Sequence, residues 1–313
     1  MIERWGILSF FKRKTLLTIA KVLFPILILL LISYEAKGLF KDFNWNLIDL
    51  YLDRLSLQRI ILIFILGLIA LIPMFFYDVV LFQIFKSRVR KRQFIFYSLS
   101  ANAFSNLVGF GGVAGATLRS IYYRKYATDS IPVIRIIAKI SLFYLTGLSI
   151  LSWQVAFTDM HVYAEIKFMK FAVWAIAAYT PVLLILFSFR KKFWSLENLQ
   201  KGFIAELITI SIFEWLFVGI CIWGIAHLLS VAVPFSIIFP IVIISACAGI
   251  ISLIPGGIGS FDLVFLIGME TYGIPAELSL LIIMFYRLSY YIFPVLLSTP
   301  FVIFQMAAKK NQS

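Results

Sequence analysis

Seven ionisable side chains lie within apolar sequence: Asp78, Arg119, Glu206, Glu214, Asp262, Glu270 and Arg287. A charge at the centre of a bilayer costs about 2.5–3.5 kcal/mol on insertion scales, so a chain keeps one there only where it faces a partner or a polar cavity. Acids and bases are both present, which leaves two readings open. They line a cavity that binds and moves something charged or zwitterionic, or they pair with one another and fix the packing of helices. Asp78, Glu214 and Arg287 lie deepest in apolar sequence. Arg119 follows a glycine-rich stretch, where a guanidinium could hold a phosphate by two parallel hydrogen bonds. Glu206 and Glu214 are eight residues apart. On one helix that is about 12 Å, on roughly the same side, and could mark two stations on one path.

Two stretches break the apolar runs that must position these charges. One is 249–262, GIISLIPGGIGSFD, with Pro255, Gly256, Gly257 and Gly259 ahead of Ser260 and Asp262. The other is 106–119, NLVGFGGVAGATLR, with Gly109, Gly111 and Gly112. Proline followed by glycines ends a helix and frees backbone groups. At membrane depth such groups are tolerated only where protein or a water-filled cavity satisfies them. Interrupted apolar segments in both halves of a membrane protein point to a transport site.

Composition decides which solvent these elements face. The chain has 313 residues, 62% hydrophobic and 14% charged, with a mean hydropathy of +0.99. Soluble domains of this length are far less apolar. The expectation is an all-α polytopic integral membrane protein. No hydrophilic block exceeds a loop, so 1–313 is expected to form one transmembrane domain, embedded over about 16–304, with no separate soluble catalytic domain. The formal charge of +13 reads as cytoplasmic Lys and Arg, with anionic lipid as the electrostatic partner and no nucleic acid. Cys221 and Cys247 sit in apolar runs and read as packing residues. No cofactor or metal site is expected: there are two histidines, no phosphate-loop motif and no zinc spacing, and Gly109-Phe110-Gly111-Gly112 has no strand before it.

In chain order, Arg4, Lys12, Arg13 and Lys14 precede a first span at 16–33. This reads as an uncleaved helix that starts in the cytoplasm. A second span covers 57–85, kinked at Pro73. The cluster Lys86, Arg88, Arg90, Lys91 and Arg92 marks the cytoplasmic side, with anionic-lipid contact a secondary role. The run 94–118 ends in Arg119, Arg124 and Lys125, so a single crossing would put positive clusters on both sides. A re-entrant hairpin fits better. Further spans follow at 134–157, 171–189, 203–229 and 235–254. The Pro-Gly break then leads into a helix through Glu270, and a last span covers 278–304, with Arg287 inside it. The sum is about eight transmembrane helices, a re-entrant hairpin and a Pro-Gly-broken helix, with both termini cytoplasmic.

Several motifs together resemble a known family. They are Tyr77-Asp78-Val79, NLVGFGGVAGATLR at 106–119, Thr146-Gly147-Leu148-Ser149, Glu214-Trp215, SLIPGGIGSFD at 252–262, and Tyr286-Arg287 with Tyr290-Tyr291. In this order, across nearly the whole chain, they resemble the membrane part of the multiple peptide resistance factor, the bacterial lysylphosphatidylglycerol synthase/flippase proteins. The resemblance implies a bacterial plasma-membrane protein that moves lysylphosphatidylglycerol, or a related aminoacylated phospholipid, from the inner to the outer leaflet and so confers resistance to cationic antimicrobial peptides. It implies roles for Asp78, Arg119, Glu214 and Arg287, the acids meeting lysyl ammonium groups and the arginines the phosphate, with broken-helix amides also suited to that anion. It carries phosphatidylglycerol and lysylphosphatidylglycerol as lipid partners, with a synthase protein or a second copy as further partners. The family's lysyl-transferring domain has no counterpart in 1–313, so lysyl transfer by this stretch alone is not expected. The alternatives are a phosphatidylglycerol lysyltransferase or its membrane subunit, a related glycolipid-pathway protein, or a scaffold.

Overall fold

The computed structural model describes residues 44–53, 55–86, 88–108, 113–126, 133–189 and 201–310. The span expected at 16–33 and the glycines 109, 111 and 112 lie outside them. Among the described residues every regular element is helical. We number the α-helices α1 (Trp45–Asp53), α2 (Leu57–Ala70), α3 (Ile72–Ile84), α4 (Lys91–Val108), α5 (Val113–Tyr123), α6 (Val133–Ser141), α7 (Thr146–Phe157), α8 (Val162–Glu165), α9 (Phe168–Ala177), α10 (Tyr179–Phe189), α11 (Lys201–Leu228), α12 (Phe235–Ile251), α13 (Ser260–Glu270), α14 (Ala276–Tyr286) and α15 (Phe293–Lys310).

Five segments are long and apolar enough to cross a membrane: Leu57–Ile84, Val133–Phe157, Phe168–Leu186, Gly202–Leu228 and Ala276–Gln305. They agree with five of the expected spans to within a few residues. The expected span at 235–254 corresponds to α12, an apolar helix of 17 residues. The protein is a multi-pass helical membrane protein.

Several spans are interrupted where the sequence dictates it. Pro73 falls in the first turn of α3, where the missing N–H costs nothing, and the break from α2 lies at Leu71. Ser56 caps α2 by accepting from the Arg59 amide at 3.3 Å. Gly273, at φ +75°, and Pro275 separate α13 from α14. Between α14 and α15 the backbone takes a π-helical turn, Arg287–Ile292.

The unbroken α11 is the hub. It packs against α2, α3, α7, α12 and α14, and it is apolar nearly all round, as a helix enclosed by others must be. Its contact with α7 is backbone-close: a Cβ placed on Gly147 would lie 2.1 Å from the Ser211 carbonyl oxygen. The Gly147 amide donates to Ser211 Oγ at 2.7 Å. Gly67 on α2 meets Ser289 of the π turn in the same way, at 2.4 Å. Small residues that let helix backbones touch are the usual adhesive between helices in lipid. Helices α4 and α5 pack side by side as a hairpin.

Candidate functional site

The hairpin and α3 enclose a charged cluster. Asp78 on α3 and Arg119 on α5 form an ion pair with side chains 0% and 1% exposed. Arg119 Nε donates to Asp78 Oδ1 at 2.7 Å, and its Nη2 to Oδ2 at 3.2 Å. Ser98 and Asn102, four apart on one face of α4, both donate to Asp78 Oδ2, at 2.6 and 3.2 Å. The Asn102 carbonyl accepts a further bond from Arg119. The carboxylate thus accepts four hydrogen bonds, about its full capacity. That is the condition under which a buried pair is tolerable.

Glu214 lies next to this cluster on α11, 8% exposed. Its Oε2 accepts from the Tyr77 hydroxyl at 2.7 Å. Among the described residues no Lys, Arg or His lies within ion-pair distance of it; the ion pairs are Asp78–Arg119, Asp159–Lys170 and Asp262–Arg287. Around it are aromatic rings. Tyr77 packs on Tyr144 with centroids 4.5 Å apart, and the Arg119 guanidinium lies 5.9 Å from the Tyr144 centroid. The Tyr144 hydroxyl is buried and has no hydrogen-bond partner among the described residues. Glu214 therefore stands as a buried carboxyl group with, among the described residues, a single neutral donor, the Tyr77 hydroxyl, whose ring packs on Tyr144.

The second cluster ties the Pro-Gly break to the π turn. Pro255–Gly257 forms a single 3₁₀ turn, with Gly256 at φ +64° and Gly257 at φ +63°. A side chain at these angles is strained, which is why glycines stand there. Arg287 closes the turn. Its Nη1 donates to the Gly256 carbonyl at 2.6 Å and its Nη2 to that of Gly257 at 3.4 Å. Nε and Nη2 both reach Asp262 Oδ1, at 3.1 and 2.7 Å. Asp262 Oδ2 in turn accepts from the Gly259 amide at 2.8 Å, capping α13. The guanidinium lies 5.0 Å from the Tyr291 ring centroid and 5.7 Å from that of Phe261.

The two broken segments adjoin. The end of α4 packs against the 3₁₀ turn, and the Leu107 carbonyl approaches Gly256 to within van der Waals reach of a Cβ built there. Asn106 on α4 and Tyr290 of the π turn both donate to Met74 Sδ, at 3.4 and 3.7 Å.

Of the residues singled out from sequence, Asp78 and Arg119 come together, Glu214 adjoins them, and Asp262 and Arg287 form the second pair. Glu206, half-buried on α11, and Glu270, exposed at the end of α13, join neither cluster. The turn amides of Gly257, Ile258 and Gly259 bond internally, to the Ile254 and Pro255 carbonyls and to Asp262. The carbonyls, not these amides, are the outward-facing groups of the break, and they face a cation. Sequence reasoning passed over Ser98, Asn102, Tyr77 and Tyr144 as site residues, and Glu277, whose buried carboxylate accepts from the Asn44 amide at 2.7 Å. The four-residue spacing of Ser98 and Asn102 was the available signal.

No family model matches the chain. It is 32% identical over 292 residues to a phosphatidylglycerol lysyltransferase of Bacillus subtilis (strain 168), covering 91% of this chain and 34% of that protein. It is 32% identical over 289 residues to the phosphatidylglycerol lysyltransferase of Staphylococcus aureus (strain MRSA252), covering 90% and 33%. The homologue from strain MSSA476 is 31% identical over 290 residues. The chain spans about a third of the length of these curated relatives.

Proposed function

We propose that this chain, which is similar to phosphatidylglycerol lysyltransferases over nine-tenths of its own length, is the membrane part of a protein of the multiple peptide resistance factor kind and moves an aminoacylated phospholipid such as lysylphosphatidylglycerol between the leaflets of a bacterial plasma membrane. The observation that carries this reading is Glu214. A buried carboxylate on the central helix, with one tyrosine donor and no cationic partner among the described residues, suits an ammonium group. A lysyl head supplies two.

The paired clusters give such a head its route. Asp78–Arg119 and Asp262–Arg287 are pre-satisfied, so each side chain has a resting partner whenever lipid is elsewhere. A lysylphosphatidylglycerol head carries both signs. Its phosphate competes with an aspartate for an arginine while its ammonium groups take the released carboxylate, so no unpaired charge is left in low dielectric at any point. Exchange of partners between like-charged sets is a physical basis for carrying a charged head past apolar helices.

The test is reconstitution into liposomes with fluorescent lysylphosphatidylglycerol in one leaflet, scored by a membrane-impermeant quencher. The expected result is protein-dependent movement that is lost in Glu214→Gln. Equal movement in the wild type and Glu214→Gln would remove the ammonium assignment. No movement in folded wild-type protein would remove the transport reading.

The names of the relatives favour a second reading: the chain is the membrane part of a phosphatidylglycerol lysyltransferase and hands lipid to or from the transfer site. Formation of lysyl-lipid from charged tRNA only when this chain and a lysyl-transferring domain are combined would support it.

A further inference from the structure

We propose that the outer groove between α3 and α4 is a binding site for an anionic glycerophospholipid, its phosphate at Lys86, Arg88 and Lys91 and one acyl chain lying along α3. The site is separate from the buried clusters, and its preference for head-group charge is opposite to theirs.

Two adjoining cavities form the groove. One, of about 380 Å³, is lined only by apolar side chains, among them Ile72, Phe76 and Val79. The other, of about 620 Å³, is lined by Val79, Phe94 and Ile95 at one end and by Lys86, Arg88 and Lys91 at the other. Val79 and Phe94 line both, so the two spaces lie side by side along α3 and α4. Ile72, Phe76, Val79, Gln83 and Lys86 recur at three- and four-residue intervals along one stripe of α3 and its terminal turn. From Ile72 to Lys86 the rise is about 21 Å. Half the hydrocarbon thickness of a bilayer is about 15 Å, and a head-group layer adds several more. The stripe therefore matches one leaflet from head group to chain end.

The mouth is built to hold an anion. Lys86, Arg88 and Lys91 are all exposed, and among the described residues no carboxylate pairs with them. Lys86 also has φ +50°, a conformation in which residues other than glycine are uncommon and strained. Its amide donates to the Gln83 carbonyl at 3.1 Å, ending α3 where a glycine would do so without strain. A lysine at this position trades that ease for a cation at the groove mouth. Three cations without an acid favour a lipid of net negative charge, such as phosphatidylglycerol, over an aminoacylated one of net positive charge.

The experiment uses the whole chain in nanodiscs with a photoactivatable diazirine on the acyl chain of phosphatidylglycerol or of phosphatidylcholine, and maps the adducts by mass spectrometry. The expected result is enrichment of phosphatidylglycerol adducts at Ile72, Phe76, Val79 and Ile95, about ten-fold or more over phosphatidylcholine. A basic side chain near a membrane surface contributes about five-fold to anion preference, so Lys86→Gln/Arg88→Gln/Lys91→Gln should remove roughly 100-fold of affinity, and with it the enrichment. Arg90→Gln/Arg92→Gln, which removes neighbouring charges that do not line the cavity, should lose clearly less of it. Val79→Trp, which fills the groove and leaves every charge in place, should abolish the adducts. Equal labelling by both lipids, equal loss in the two charge variants, persistence in Val79→Trp, or adducts replaced by crosslinks to a second copy would each overturn the proposal. Labelling is read without any transport step, so it succeeds or fails independently of lipid movement.

Discussion

Removing Asp78 alone, and then Asp78 with Arg119, separates packing from function. In Asp78→Ala the Arg119 guanidinium, buried in the wild type, keeps among the described residues only its bond to Asn102. Two charges about 4 Å apart at an effective dielectric of 20 attract by about 4 kcal/mol. Breaking one side of a buried pair costs about 3–5 kcal/mol in measured cases. Asp78→Ala is therefore expected to destabilise the protein by about 4 kcal/mol, a loss large enough to threaten expression. The double variant Asp78→Leu/Arg119→Met removes both charges and keeps the volume. Such replacements are often neutral or stabilising, although Ser98 and Asn102 lose an acceptor at about 1 kcal/mol each. The double variant is therefore expected to recover most of the stability. The assay is thermal unfolding in nanodiscs, run beside lipid translocation in liposomes. If the pair exchanges partners with a lipid head, the double variant is stable and inactive. A double variant that is stable and moves lipid at the wild-type rate would refute the exchange, leaving the pair as a packing device.

Glu214→Gln should unfold within a few degrees of the wild type, because an amide oxygen still accepts from Tyr77, yet lose lipid movement. Tyr77→Phe, by contrast, should lose about 1 kcal/mol in a denaturation series. Gly147→Ala should destabilise by about 1–3 kcal/mol by overpacking, since its new methyl would meet the Ser211 carbonyl; an unchanged midpoint in chemical denaturation would contradict the backbone contact of α7 with α11. Arg287→Lys keeps the charge but not the fork, so it cannot hold Asp262 and both turn carbonyls at once. It is expected to slow translocation more than ten-fold, and hydrogen exchange at 255–259 should rise; unchanged exchange there would show that the turn holds without the fork.

The charges were legible because apolar surroundings make a carboxylate or guanidinium conspicuous: cost alone selected Asp78, Arg119, Glu214, Asp262 and Arg287, and with them Glu206 and Glu270, which join neither cluster. Their pairing was not legible. Asp78 and Arg119 are separated by 41 residues and Asp262 and Arg287 by 25, and only the folding of α5 against α3, and of the π turn against the 3₁₀ turn, brings them together. Span positions were legible from hydropathy, and Pro73 as a break from its missing donor. The π turn was not, because 278–304 reads as one apolar run and an i to i+5 turn leaves no compositional mark. The close contacts at Gly67 and Gly147 also depend on the partner helix. Glycine has many uses, and the sequence does not say which backbone will approach it.

The π turn has a consequence for the helix that follows it. Each residue of an α-helix advances the face by 100°, and a wider turn accommodates residues without advancing it in step. Arg287–Ile292 thus acts as a phase shift between α14, whose side chains serve α11 and α13, and α15, which packs on α4. Phe301 lies at the far side of that shift, its ring centroid 5.0 Å from that of Phe96 and 5.7 Å from that of Tyr97. Rewinding the turn as α-helix with every residue kept would rotate α15 by about 100° and carry Phe301 off the hairpin, whereas deleting one residue as it rewinds would leave the face of α15 where it is. The hairpin that holds Arg119 against Asp78 is thereby indexed to the turn that carries Arg287, and the two charged clusters share one mechanical reference.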